Sequence, residues 1–102
     1  MADDPHRITL PDALKMVARA RANPRPVTIK GWRFGAEIIR EILDQPGATG
    51  LRAYHAENAD GEATLVLVGT DAKGADLANG VLAEYSLPCP PYCDDASPFM
   101  QP

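Results

Sequence analysis

An α+β domain is the fold class this sequence predicts: two N-terminal helices packed on a small antiparallel sheet, with an extended Pro-rich C-terminal tail. Three observations carry that expectation. Apolar residues recur at helical spacing up to about Asp44 and in strand-like runs after it. An Asp60-Gly61 turn signal separates two of those runs. Five of the ten prolines fall in the last fifteen residues, which sets Pro88 onward apart. A chain of 102 residues is one domain, large enough for a core without obligatory staples. The expected boundaries are a flexible N-terminus over 1–8, a single α+β domain over 9–86 and an extended Pro/Cys tail over 87–102.

The first helix is expected over 11–22. Thr9 with Asp12 three residues later forms a capping arrangement, and Pro11 fits the first turn. Leu10, Leu14, Val17, Ala18 and Arg21 define its stripe, with Lys15 and Arg19 mostly outside it. Pro24 ends the helix by pushing Asn23 out of the helical region. Val27 to Trp32 is β-branched at three consecutive positions and reads as a short strand or ordered connector. Gly35 is then the N-cap of a second helix, with Glu37 in its first turn. Phe34 is placed to staple onto Ile39. Ile38 and Ile42, widened by Ile39 and Leu43, form its apolar face. Gln45-Pro46-Gly47 stops it.

Two strands follow, Leu51 to Ala56 and Ala63 to Gly69, joined as a hairpin by Asn58-Ala59-Asp60-Gly61. The second is a nearly continuous apolar run, which predicts a strand covered on both faces. Val81 to Tyr85 is a candidate third strand. A three-stranded sheet leaves an edge, to be covered by the tail or by a second subunit.

Formal net charge is -4 and unevenly spread: residues 1–45 sum to +2 and residues 46–102 to -6. An acidic chain disfavours general binding to nucleic acid or anionic membranes. The N-terminus carries Asp3 and Asp4 where a secretory signal needs basic residues. No stretch approaches the ~18–20 apolar residues of a membrane span. The expectation is a cytoplasmic protein, in which thiols are normally reduced.

Gln45-Pro46-Gly47, Gly50-Leu51-Arg52-Ala53-Tyr54, Thr64-Leu65-Val66-Leu67-Val68-Gly69-Thr70-Asp71 and Cys89-Pro90-Pro91-Tyr92-Cys93 together resemble a group of small uncharacterised bacterial proteins. In that group a hairpin ending in Val-Gly-x-Asp precedes a Cys-Pro-Pro-x-Cys tail. The resemblance covers roughly 30–93. It implies a bacterial, stand-alone domain whose hairpin and tail belong together, and it carries no activity.

Cys89 and Cys93 are the only cysteines. Their spacing is not the Cys-x2-Cys of structural zinc, and two of the three intervening residues lack an N–H. A metal site for zinc or iron would need His55, His6, Asp94 or Asp95 beside them, with Cys89, Cys93 and His55 the candidate ligands. Two copies could also share one ion through four thiolates. A disulfide meets a geometric obstacle. Four polyproline steps separate the Cα atoms by about 12 Å, and a bridge needs less than about 7 Å. Closure therefore requires a turn at Tyr92 or a cis X-Pro bond. The plainest alternative has both cysteines as small buried hydrophobes, with Leu87, Cys89, Tyr92 and Phe99 pressing a stiff tail along the domain.

The remaining candidates are thinner. Trp32 and Phe34 beside Arg25, Lys30 and Arg33 combine stacking with charge, as a single-strand binder does, but in an acidic chain with so small a cluster the aromatics read as core anchors. Asp71, Gly74 and Asp76 lack the spacing of a calcium loop and read as a turn. His55 has no partner that the sequence names for catalysis. Ser86 and Ser97 have no nucleophile context. The expectation is therefore a non-catalytic binding or assembly module, an accessory subunit or adaptor, not an enzyme. Its contact residues are Trp32, Leu87, Tyr92 and Phe99, and its partner is another protein or itself. The alternative is a metal-binding or thiol-redox protein centred on Cys89 and Cys93.

Overall fold

The computed structural model describes residues 7–23, 29, 31–84 and 87–100. Strand β1 (Arg7–Ile8) leads into helix α1 (Leu10–Ala22), then β2 (Gly31–Arg33), α2 (Ala36–Leu43), β3 (Gly50–Glu57), β4 (Ala63–Thr70), β5 (Leu82–Ala83) and β6 (Leu87–Cys89). A 3-10 turn at Pro98–Met100 follows. A four-stranded sheet in the order β1-β5-β4-β3 is accompanied by a two-stranded sheet of β2 and β6. All described pairings are antiparallel.

This corrects the predicted architecture. The expected small sheet behind one layer of two helices is a four-stranded sheet between them, with a separate two-stranded ribbon. The reason lies in the side-chain alternation of β4. Val66 and Val68 join Ala13 and Met16 of α1, with Ala56 and Leu82, in one core cluster. Leu67 joins Ile38 and Ile42 of α2, with Ala83, in another. Successive residues of one strand thus serve opposite helices. The same alternation runs through β5, where Leu82 lies opposite Val68 and Ala83 opposite Leu67. The apolar run of β4 demands cover on both faces, and only a helix on each side supplies it.

Helix α1 starts where Thr9 accepts from the Asp12 N–H at 3.3 Å and ends where the Asn23 side chain donates to the Arg19 carbonyl at 3.2 Å. Its buried stripe is Ala13 and Met16, flanked by Leu10 and Val17. The predicted stripe through Leu14 is rotated, because Leu14 is 59% exposed. Helix α2 buries Ile38 and Ile42 completely, at 0% exposure. Gly47 follows it in the left-handed region, φ 83°, where glycine carries no Cβ penalty.

The hairpin pairs β3 with β4 from Gly50:Thr70 to Glu57:Ala63. Its turn is set by Asn58, whose side-chain oxygen accepts from the N–H groups of Asp60 and Glu62 at 3.0 and 2.9 Å. Gly61 supplies the positive φ, 81°. Arg7 and Ile8, expected in the flexible N-terminus, pair instead with Ala83 and Leu82. Ile8 packs on the first cluster, and Arg7 pairs with Glu41 of α2 at 3.3 Å. The third expected strand is Leu82–Ala83 alone, and Tyr85 lies outside the described residues.

Candidate functional site

The tail is not extended along its length, as the sequence predicts, but opens as a strand and then folds back. Leu87, Pro88 and Cys89 lie opposite Arg33, Trp32 and Gly31. The Pro88 carbonyl accepts from the Tyr92 N–H at 2.9 Å, so it faces away from β2. Trp32:Pro88 is therefore a non-hydrogen-bonded pair, where the missing proline N–H costs nothing. Cys93 donates to the Pro91 carbonyl at 3.1 Å, and Ser97 to the Asp94 carbonyl at 3.0 Å.

Cys89 and Cys93 are joined as a disulfide, with Cα atoms 4.8 Å apart. This corrects the expectation of free thiols. The peptide bonds before Pro90 and Pro91 are cis, so the chain reverses where an all-trans polyproline path would run straight. Both cysteines are half-buried. Among the described residues, no three His, Cys, Asp or Glu side chains gather into a metal-holding group. His55, predicted as a third ligand, is exposed on β3 opposite Leu65. His6 lies outside the described residues.

The predicted contact residues divide into a base and an outer part. Trp32 and Leu87 are half-buried in the ribbon. The Trp32 indole N–H donates to the Ala63 carbonyl at 3.4 Å. The Asn58 N–H bonds the Glu62 carbonyl at 2.9 Å, so the Ala63 carbonyl, one residue along, faces the edge of β4 away from β3. Leu67 and Gly69 use the same edge for β5 and for the Leu77 N–H. Trp32 thus ties the ribbon to the part of that edge which β5 does not reach. Tyr92 and Phe99, by contrast, are 61% and 94% exposed. They are not pressed along the domain.

Two further clusters stand out, one of them, around Asp71, already expected as a turn and the other, around Asp76, not expected. Asp76 accepts hydrogen bonds from Arg52 and from the Tyr54 hydroxyl, and lies in a bridge with Thr70. The Tyr54 hydroxyl first, and then the Asp76 charge, hold the Arg52 guanidinium more firmly protonated. Asp71 accepts from the N–H groups of Lys73 and Ala75, both at 2.9 Å, which makes its loop a turn closed on itself. No sequence signal pairs Arg52 with Asp76, because the register that joins them is set by the hairpin. Arg33 is exposed and Phe34 packs on the second cluster, while Arg25 and Lys30 of the predicted basic group lie outside the described residues.

No protein-family model, no curated protein and no solved structure matches the chain.

Proposed function

We propose that this protein is a non-catalytic binding or assembly module that docks a protein partner, or a second copy of itself, through its disulfide-closed tail. The supporting observation is that Tyr92 and Phe99 stand exposed, at 61% and 94%, on a segment anchored through β6, β2 and Trp32. Exposed aromatics supply large contact area to a partner that buries them. Both core clusters are built without them, so their presence is not a packing requirement.

The test uses the parent chain and a Tyr92→Ser/Phe99→Ser variant. Sedimentation velocity over a concentration series reads self-association, and both chains serve as baits for partners in extracts of the source cells. Self-association or a defined partner set, lost in a variant with an unchanged circular dichroism spectrum, is the expected result. A parent that stays monomeric while both baits retain the same proteins overturns it.

A further inference from the structure

Strand β3 is an edge of the four-stranded sheet. Its backbone groups point alternately to either side. Asn58 donates to the Glu62 carbonyl, and the register sets even-numbered residues of β3 opposite even-numbered residues of β4. Arg52, Tyr54 and Ala56 therefore turn their N–H and carbonyl groups to β4, while Leu51, Ala53 and His55 turn theirs outward. Among the described residues, no backbone group meets these three on that side, and all three are exposed. Other margins of the sheet are blunted. The opposite edge, β1, is two residues long, and the outer side of β4 is used by β5, by the Leu77 N–H and by the Trp32 indole. No proline, lysine or bulge interrupts the eight residues of β3, although these are the usual protections of a free edge. Its arginine does not serve as one, because Arg52 is drawn back across β4 to Asp76.

We propose that β3 pairs antiparallel with β3 of a second copy, about a two-fold axis through Ala53, so that two sheets become one. Each copy adds a strand to the other's open edge, and the backbone supplies the contact. A two-fold axis normal to the sheet keeps each residue on the same face in both copies, so odd-numbered positions oppose only odd-numbered ones. The candidate centres are Arg52, Ala53 and Tyr54. Centred on Arg52, the pairing sets two guanidinium groups opposite each other, which repel. Centred on Tyr54, it pairs Leu51 with Glu57, whose carbonyl already accepts from Arg19 at 3.5 Å. Centred on Ala53, it pairs Leu51 with His55 of the second copy and Ala53 with its own counterpart. That register uses only the open groups, forms about six backbone hydrogen bonds and opposes no like charges. A small, exposed side chain then lies on the axis. The surface is separate from the tail and draws on neither Tyr92 nor Phe99, so the inference goes beyond the docking reading.

The experiment is sedimentation velocity of the full chain over a concentration series, with residue-resolved amide exchange by NMR at both ends of it. The parent is expected to pass from monomer to dimer. In the dimer the amides of Leu51, Ala53 and His55 are expected to exchange about tenfold more slowly, while those of Arg52, Tyr54 and Ala56, already bonded to β4, do not change. Ala53→Glu and Ala53→Lys each place like charges face to face on the axis and are expected to abolish the dimer. Neither change touches a core cluster. An equal mixture of the two variants is expected to dimerise again, because position 53 faces itself. Should either variant not fold, the exchange pattern of the parent alone decides. A parent that stays monomeric throughout the series overturns the proposal. So does a dimer without slowed exchange at the three outward amides, one that both charge variants retain, or a mixture that stays monomeric. A dimer kept in Ala53→Glu but lost in the Tyr92→Ser/Phe99→Ser variant assigns self-association to the tail and overturns it as well. Failure here leaves the docking reading to its own test, since capture of partners by the tail does not require β3.

Discussion

The Gln45 side chain donates to the Ile42 carbonyl at 2.8 Å and accepts from the Val81 N–H at 2.7 Å. One amide thereby satisfies a carbonyl at the end of α2 and a backbone donor just ahead of β5. Two glycines make room for it. A Cβ on Gly69 would stand 3.1 Å from the Gln45 nitrogen, and one on Gly80 only 2.0 Å from its oxygen. Gln45→Ala is expected to cost about 1–2 kcal/mol, because the Val81 N–H loses its acceptor. Gly80→Ala is expected to destabilise the parent by displacing the amide, and to cost less in the Gln45→Ala background. Urea denaturation of the two single variants and the double variant reads that coupling. Equal cost of Gly80→Ala in both backgrounds would mean that the two positions act independently.

Among the elements, α1 is where periodicity alone misleads. Met16 is 7% exposed and Leu14 is 59% exposed, although Leu is the more obvious core residue. Met16→Ala is expected to cost about 2–5 kcal/mol, and Leu14→Ala to stay within about 0.5 kcal/mol of the parent. Thermal and urea unfolding check both, and the reverse order would restore the stripe read from sequence. The helix has apolar residues on more than one side, so spacing fixes a helix without fixing which face is buried. Its ends, read from the Thr9 cap and from Pro24 after Asn23, come from local chemistry and do not share that ambiguity. The hairpin is legible for the same reason, from Asp60-Gly61, although it is Asn58 whose side chain closes the turn. Strands β1 and β6 were not legible. Two residues carry no alternation, and Pro88 reads as an exclusion from any sheet until its carbonyl is seen turned away from β2. For the tail, composition sets Pro88 onward apart, but the pairing of Leu87 to Cys89 with β2 and the fold-back after it are not legible, because both depend on register with a distant strand.

At the scale of the molecule, one sheet holds two cores apart. Ile8 contributes to the α1 side and Arg7 reaches α2 through Glu41, so the first described strand serves both. A chain beginning at Thr9 would leave Leu82 and Ala83 paired on the β4 side alone. It is expected to lose about 1–3 kcal/mol, from the partial burial of Ile8 and the lost strand pairing. Calorimetric unfolding measures the loss, and an unchanged transition would show β1 to be dispensable. The opposed helices also explain why a single helical layer was the wrong inference. The double-sided burial of Leu65 to Val68 was visible in the sequence and already required cover on both faces. The pairing of Arg7 with Ala83 has a further consequence during synthesis on the ribosome. The opening strand emerges first, and its partner is made only after both helices and the hairpin. Until then Ile8 of β1 and Met16 of α1 have no finished sheet to receive them. Slow translation through the hairpin therefore lengthens the interval in which this apolar stripe is open to chaperones.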